Sequence, residues 1–221
     1  MPKKKLIHFQ ENLTFPHLVQ PDYPTLLSGF PLRGRWNQDF FRNQNPIIAE
    51  LGCGKGEYTV GLAARHPGTN FIGIDWKGAR LWRGCKTVVE EGLTNVGFVR
   101  SMVDHIEYLF APGEIAEIWI TFPDPQRKKE RKRLVAPLFL ERYARLLSPG
   151  GMIHLKTDDL PLYEYALEVL AATGQTPAWH TSDLYASEYS GDAADIQTHY
   201  ERIWLSMGKP ICYIQFQINR S

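Results

Sequence analysis

The feature that most constrains the fold is a regular alternation, after Pro46, of short apolar runs with segments of helical character. Such runs predict strands, and the segments between them predict helices. The predicted strands cover residues 47–51, 70–74, 96–100, 117–122, 152–156 and 211–218, and the predicted helices cover residues 57–65, 77–91, 136–147 and 160–172. Parallel neighbours need a crossover, which is usually a helix. The pattern therefore predicts an α/β fold with a mostly parallel sheet covered by helices on both faces.

Composition and length indicate one domain. The chain has 221 residues, of which 43% are hydrophobic, and it shows no internal repeat. Residues 1–45 are rich in Pro, Asn and Gln and are predicted to form a partly irregular lead-in to a single domain over residues 46–221. No apolar run reaches the length of a membrane span, and none follows the first lysines, so we expect a soluble, cytoplasmic protein.

The cysteines and histidines give no sign of a metal site or a disulfide framework. Cys53, Cys85 and Cys212 are far apart and odd in number, and the seven histidines are scattered. Charge is less evenly spread, because residues 127–133 read Arg-Lys-Lys-Glu-Arg-Lys-Arg in a chain of formal net charge +1. This run favours local contact with a polyanion, while a solvated loop or helix face stays open as the alternative.

Two strand ends carry residues typical of nucleotide binding. Gly52, Gly54 and Gly56 follow the first strand, where glycine allows a tight turn and close approach to a ligand. A dinucleotide fingerprint would place its third glycine where Glu57 stands, which disfavours an NAD-dependent oxidoreductase. Asp75 ends the second strand, where a carboxylate can accept both ribose hydroxyls of an adenosine cofactor. A plain turn and a helix cap are the structural alternatives.

The fourth strand ends in Phe122-Pro123-Asp124-Pro125, directly before Gln126 and the basic run. Two prolines restrict the backbone and remove two hydrogen-bond donors, which ends a strand and fixes one carboxylate. A simple turn would use the same residues. The segment therefore predicts that the Asp124 carboxylate is held in one position at this strand end.

The order of several motifs resembles the bacterial tRNA (guanine-N7-)-methyltransferase family. The Phe-Pro-Asp-Pro segment and its basic run are followed by Leu-Lys-Thr-Asp at 155–158 and Thr-His-Tyr-Glu-Arg at 198–202, and Arg-Gly-Arg-Trp-Asn stands at 33–37. The glycine spacing after Glu50 is similar to the first motif of class I methyltransferases. The likeness spans roughly residue 33 to the end of the chain.

The resemblance implies a Rossmann-like class I methyltransferase with a seven-stranded sheet whose C-terminal strand is antiparallel. It implies S-adenosylmethionine as cofactor, no metal, and methyl transfer to N7 of a guanine in tRNA, at position 46 of the variable loop. The implied partner is tRNA, with no membrane, and the chain would act as a monomer or homodimer.

The resemblance also assigns roles to individual residues. Asp124 is the implied catalytic residue. The implied cofactor-binding residues are Glu50, Gly52, Gly54, Asp75, Met102 and Asp124; the substrate-binding residues are Lys128, Asp158, Thr198, His199, Tyr200 and Glu201; and the RNA-contacting residues are Lys129, Arg131, Lys132 and Arg133.

The chain departs from the family pattern in two places. Met102 stands where the family has an acid, so contact to the adenine would come from the Met102 backbone or from Asp104. Gln126 replaces the usual Trp, and the basic segment is about two residues shorter. Two alternatives stay open: a class I methyltransferase acting on another RNA, a protein or a small molecule, and a non-catalytic RNA-binding protein on the same scaffold.

Overall fold

A computed structural model describes residues 3–218, and its centre is one eight-stranded sheet of order β1-β4-β3-β2-β5-β6-β8-β7. The strands are β1 Leu18–Val19, β2 Ile47–Leu51, β3 Asn70–Asp75, β4 Val96–Arg100, β5 Ile115–Thr121, β6 Leu147–Thr157, β7 Pro177–Thr181 and β8 Cys212–Gln217. Strands β1 to β6 pair in parallel, while β8 runs antiparallel to β6 and β7.

Helices cover both faces of this sheet. They are α1 Lys3–Glu11, α2 Tyr23–Gly29, α3 Glu57–Arg65, α4 Gly78–Glu91, α5 Ile106–Leu109, α6 Pro137–Leu146, α7 Leu160–Ala172, α8 Asp192–Asp195 and α9 His199–Ser206. One apolar core packs α2, α5, α6 and α7 against the sheet, and a second packs α3 and α4 against the other face. In β5, Ile118 and Ile120 enter the first core and Trp119 the second, as strand alternation requires. The predicted α/β class is confirmed.

The sheet has one strand more than the seven that the resemblance implies, and two strands were not predicted from the sequence at all. Strand β1 has two residues and lies in the polar lead-in. Strand β7 begins with a proline and is largely exposed, so it lacks the apolar alternation that marks a strand. Several predicted bounds also move by a few residues; β6, for example, begins at Leu147 rather than at residue 152.

The lead-in packs on the rest of the fold. His8 of α1 stacks on Trp82 of α4 at 3.8 Å between ring centroids, and Asn12 donates to the Gly78 carbonyl at 2.8 Å. Trp36, in a π-helical turn at Trp36–Phe41, is fully buried and donates to the Leu109 carbonyl at 2.9 Å. The boundary between lead-in and domain at residue 45 stays a prediction. Met1 and Pro2 at the start of the chain and residues 219–221 at its end lie outside the described residues.

Within residues 3–218, no helix has both the length and the apolar composition needed to cross a lipid bilayer.

We predict that Gly84→Ala destabilises the fold although Gly84 lies inside helix α4. A Cβ there would lie 2.7 Å from the Phe98 ring and 2.8 Å from the Lys55 carbonyl oxygen of the glycine loop. This overpacking should lower the free energy of unfolding by about 1–3 kcal/mol, against a gain of up to about 1 kcal/mol in helix propensity. Equilibrium urea denaturation measures the difference.

Gly68→Ala is the matched control, because no heavy atom lies within 4 Å of its Cβ position. Its free energy of unfolding should stay within about 0.5 kcal/mol of the wild type. A Gly84→Ala midpoint equal to that of the control would show that α4 does not need this close approach.

Candidate active site

The loop after β2 requires its glycines. Gly52, Gly54 and Gly56 have φ values of 76°, 59° and 71°, a region that side chains with a Cβ rarely adopt. The amides of Gly52 and Cys53 donate to the Ile74 carbonyl at 2.8 and 3.1 Å, so the loop is hydrogen-bonded to the end of β3. The alternate glycines in the sequence therefore reflect a loop folded across two strand ends.

Asp75 fastens the same loop from the end of β3. One carboxylate oxygen accepts from the Gly54 amide at 3.0 Å and the other from the Lys77 amide at 2.6 Å. Lys77, not Asp75, is the residue at the N-cap of α4. Asp75 thus does more than cap a helix, because it joins the glycine loop to the start of α4 and remains partly exposed.

Glu50, the residue before the last of β2, is buried beneath the loop. It accepts from the Thr59 amide at 2.8 Å and from the hydroxyls of Thr59 and Thr121. Burial raises the pKa of the Glu50 carboxyl to about 7; the threonine hydrogen bonds oppose this rise and the charge of Asp75 adds to it. Glu50 is therefore an acid that changes its protonation state near neutral pH.

A first cavity lies above Glu50 and unites two distant parts of the chain. It has a volume of about 120 Å³. Strand-end residues and the C-terminal motif line it together: Glu50, Gly52, Gly54, Thr121, Phe122, Thr198 and Tyr200. Tyr200 is 56% exposed, and the Lys55 ammonium lies 5.8 Å from the centroid of its ring. An aromatic surface thus borders the glycine loop.

The Asp124 loop is held in an unusual backbone conformation next to this cavity. Phe122 and Gln126 have positive φ values of 48° and 47°, which are uncommon for residues with a side chain. The Gln126 amide donates to an Asp124 carboxylate oxygen at 3.0 Å, and the Arg133 guanidinium donates to the Pro125 carbonyl at 3.1 Å. Asp124 itself is exposed, so the loop presents its carboxylate at the open edge of the sheet.

The basic run separates into two kinds of residue. Lys128, Lys129, Arg131 and Lys132 are exposed around a short 3-10 turn at Glu130–Lys132. Arg133 is 9% exposed, and its guanidinium lies 4.2 Å from the centroid of the Tyr165 ring. Its predicted RNA contact stays untested, and its burial suits a brace for the Asp124 loop.

The C-terminal motif opens helix α9 with a capping box. Thr198 accepts from the Glu201 amide at 3.2 Å, and Glu201 accepts from the Thr198 amide at 3.1 Å. Thr198 lies at the cavity, and His199 and Tyr200 are exposed. Glu201 has no exposed surface, so in this arrangement it reaches a ligand only through its neighbours.

Glu201 is paired with a buried lysine. The Lys156 ammonium lies 2.6 Å from a Glu201 carboxylate oxygen, and it donates to the carbonyls of Ala193 and Ile196. The Tyr185 hydroxyl donates to the same Glu201 oxygen at 2.6 Å. Burial lowers the pKa of the Lys156 ammonium, and the Glu201 charge opposes that shift. This cluster ties residues 185–201 to the carboxyl end of β6.

Asp158 stands at the end of β6 and forms an ion pair with Lys209 at 2.5 Å. Its neighbour Asp159 caps α7 and pairs with Arg127, the first residue of the basic run. Both carboxylates therefore lie at the same edge of the sheet as the Asp124 loop.

A second cavity, of about 560 Å³, is lined by Trp76, the residue that follows the end of β3. Trp76, Arg100, Ser101, Met102 and His105 form one wall. The lead-in contributes the other wall through Gln20, Pro21, Asp22, Tyr23 and Leu26. Met102 is 42% exposed there, whereas Asp104 is not among the lining residues. Among residues 3–218, no group of three or more His, Cys, Asp or Glu side chains is arranged to hold a metal ion.

Several contributors to this site were not predicted from the sequence. Thr59 and Thr121 hold Glu50, Lys156 holds Glu201, and the lead-in lines the second cavity. Trp76 could have been predicted, because an aromatic residue directly after a strand-end acid is suited to stacking on a base. In the structure its side chain is exposed. The others depend on contacts between residues far apart in sequence.

Comparison with known sequences and structures points in one direction. A family described as "Putative methyltransferase" matches residues 44–214. A tRNA (guanine-N(7)-)-methyltransferase of Christiangramia forsetii is 50% identical over 220 residues, 98% of this chain and 98% of its own. One of Porphyromonas gingivalis is 51% identical over 207 residues, 92% of this chain and 85% of its own.

Solved structures support the fold. The 16S rRNA methyltransferase KamB aligns with a TM-score of 0.64 at 15% identity, covering 85% of this chain and 95% of that one. An antibiotic-related methyltransferase aligns with a TM-score of 0.60 at 16% identity, covering 81% and 90%. At these identities the likeness concerns the fold alone, and it confirms the Rossmann-like fold.

We predict that Glu50 makes the stability of the free protein fall as pH rises. The folded-state pKa of about 7 lies above the ordinary value of 4.5, so the stabilising contribution is complete below 4.5 and is lost as pH rises through 7. Between about pH 5 and pH 8.5, the wild type should lose roughly 2–3 kcal/mol more unfolding free energy than Glu50→Gln. Urea denaturation at the two pH values tests this.

Glu168→Gln removes an exposed acid of α7 and should keep the wild-type pH dependence. Identical pH dependence in Glu50→Gln and the wild type would mean that Glu50 stays ionised throughout.

We predict that Lys156→Met costs about 3–5 kcal/mol of unfolding free energy, because it leaves the buried Glu201 charge without a partner. The double variant Lys156→Met/Glu201→Gln should be less destabilised than the sum of the two single changes, since no unpaired charge remains. Lys209→Met breaks a more exposed ion pair and should cost about 0–1 kcal/mol. Strict additivity in the cycle would contradict the assigned pairing.

Proposed function

The chain belongs to the tRNA (guanine-N(7)-)-methyltransferase family, and we propose that it transfers a methyl group from S-adenosylmethionine to N7 of a guanine in tRNA, at position 46 of the variable loop. One observation carries the proposal: the glycine loop, the Asp124 loop and the four exposed basic residues Lys128, Lys129, Arg131 and Lys132 lie at one edge of the sheet. This edge joins a nucleoside-binding arrangement to a surface for a polyanion.

The residues present fit S-adenosylmethionine. The glycine loop leaves room for the close approach of a ligand, and Asp75 offers acceptors for ribose hydroxyls beside it. Glu50 adds a carboxylate under the loop, facing the first cavity. The bound cofactor supplies a methyl group on a positively charged sulfur. The chain therefore needs to hold a cation, and two acids stand where they attract it.

The reaction asks for positioning rather than for a base. Guanine N7 attacks through a lone pair and carries no proton, so no proton has to leave it. Positive charge grows on the purine as the bond forms, and a fixed carboxylate beside the purine stabilises that charge. Asp124 fills this role because its loop holds the carboxylate at the open edge of the sheet.

The protein recognises guanine through the hydrogen-bond donors of the base. Its Watson–Crick edge presents N–H groups, which carboxylates accept. Asp124 and Asp158 stand at neighbouring strand ends for this purpose. Tyr200, exposed at the first cavity, offers a surface on which the base can stack. Glu201 does not contact the base, because it is buried. It positions Thr198 and the start of α9 through the capping box.

The target base has to leave its stack in the folded RNA, at a cost of a few kcal/mol. Phosphate contacts offset that cost, and the exposed residues Lys128, Lys129, Arg131 and Lys132 are placed to make them. The position of these basic residues directly after the Asp124 loop favours an RNA substrate over a small-molecule substrate. A cytoplasmic location and a monomeric or homodimeric state remain predictions.

The decisive experiment measures methyl transfer from labelled S-adenosylmethionine into unmodified tRNA transcripts, with the product mapped by borohydride–aniline cleavage at N7-methylguanine. We expect cleavage at a single guanine of the variable loop. Asp124→Ala should lower the turnover rate by a factor of about 100 or more, because the growing charge on the purine loses its carboxylate.

Asp39→Asn is a suitable control, since this acid pairs with Arg35 in the Trp36–Phe41 turn, away from the strand ends that form the site. Its rate should match the wild type. Cofactor binding without methyl transfer to any tRNA would instead favour a methyltransferase with a protein or small-molecule substrate, or a non-catalytic RNA-binding protein.

A further inference from the structure

Strand β1 brings the lead-in to the ligand-binding edge of the sheet. It pairs in parallel with β4, with Leu18 opposite Phe98 and Val19 opposite Val99, and the Phe98 amide donates to the His17 carbonyl at 2.7 Å. Because the strands are parallel, the chain leaves β1 at the same edge at which it leaves β4. The residues from Gln20 onward therefore face Arg100, Ser101 and Met102 across the second cavity.

This cavity lies where a cofactor base is expected. A nucleoside that binds Asp75 through its ribose hydroxyls has its base close by, and the neighbouring residue Trp76 lines this cavity. The Trp76 side chain is 59% exposed and lines the cavity, with Leu26 of the lead-in also in the lining. An aromatic ring and an aliphatic side chain suit the two faces of a purine.

The edge of an adenine needs an acceptor for its 6-amino group, and the residues after β4 offer little. Met102 contributes a thioether, which is a weak acceptor. Its backbone carbonyl already accepts from the His105 amide at 3.0 Å and the Ser101 hydroxyl at 3.3 Å. The Gln20 side-chain oxygen accepts from Arg100 at 3.4 Å. Asp104 is exposed in the turn Val103–His105 and is absent from the lining. Among the described residues that line this cavity, Asp22 carries the single carboxylate.

Asp22 is held in place by its own helix. One carboxylate oxygen accepts from the Thr25 amide at 2.9 Å as the N-cap of α2. A carboxylate has about four lone-pair sites, so acceptor capacity remains beyond the cap. Hydrogen bonds from Thr25 lower the pKa of the Asp22 carboxyl below its ordinary value, so the ionised form is favoured further.

We infer that Asp22 binds the 6-amino group of the cofactor's adenine, in place of the acid that Met102 replaces, and that the lead-in is one wall of the adenine site. The inference rests on the proposed function, because it takes an adenosine cofactor as the ligand of Asp75. It assigns to residues 20–26 a role in recognising the base.

The test compares two ligands that differ only at the base: S-adenosylhomocysteine and S-inosylhomocysteine, which has a 6-oxo group. Calorimetry on the full chain gives both dissociation constants. Asp22→Asn keeps an N-cap residue, so α2 is retained. Its amide oxygen serves the cap and its NH₂ group then faces the base, so S-adenosylhomocysteine should bind about 10-fold or more weakly. The preference should shift toward S-inosylhomocysteine.

Asp22→Ser keeps the cap and removes the carboxylate, so it should weaken S-adenosylhomocysteine binding without favouring the inosine ligand. Asp104→Asn tests the other acceptor, and a loss of affinity there instead would overturn the assignment. An Asp22→Asn affinity for S-adenosylhomocysteine within about twofold of the wild type would also overturn the assignment. The proposed function would stand in that case. A wild-type chain that binds no S-adenosylhomocysteine would overturn the proposed function itself, and this inference with it.

Discussion

The ring of Phe98, on β4, packs against three glycines that belong to three different elements. A Cβ at Gly56 would lie 2.5 Å from this ring, and at Gly73 and Gly84 the distance would be 2.7 Å. The glycine loop, β3 and α4 can therefore approach one another only because each lacks a side chain at its contact with Phe98. The close approach brings the Lys55 carbonyl next to α4 and the Gly54 amide next to Asp75. The geometry of the cofactor side of the site follows from this packing.

Beneath the glycine loop and at the start of α9, buried ionisable groups replace apolar packing. Glu50 is held by two threonines, and Lys156 and Glu201 neutralise each other in a fully buried pair. Buried charges of this kind contribute little net stability, because desolvation offsets much of the attraction. Their role here is to position a neighbouring segment. The hydrogen bonds from Lys156 to the carbonyls of Ala193 and Ile196 hold the segment 193–201 at the carboxyl ends of β2 and β5. The threonine hydrogen bonds likewise orient Glu50, and burial raises the pKa of its carboxyl to about 7.

The parts of the site that could be predicted from sequence are those whose physical cause is local. Gly52 and Gly54 need positive φ angles within their own loop, and Asp75 binds amides at most 21 residues away. The contacts that were not predicted join residues far apart in sequence, such as Thr121 with Glu50 across 71 residues, or Lys156 of β6 with Glu201 of α9. Strand β1 escaped for another reason. Two residues carry no periodicity, and their pairing with β4 becomes visible only in the sheet.

Position in a motif also differs from position in space. Thr198, His199, Tyr200 and Glu201 are consecutive, yet the capping box turns Tyr200 outward and Glu201 inward, so one motif supplies both a ligand-facing ring and a buried support. Arg133 ends the basic run in the same way, buried against Tyr165 while its neighbours are exposed. A role assigned by resemblance therefore has to be divided between contact and support. The lead-in shows the converse, because a segment without a family motif in residues 17–26 lies at the ligand edge. Since a ligand that binds only the folded state stabilises whatever it touches, cofactor binding and the order of this segment are thermodynamically linked.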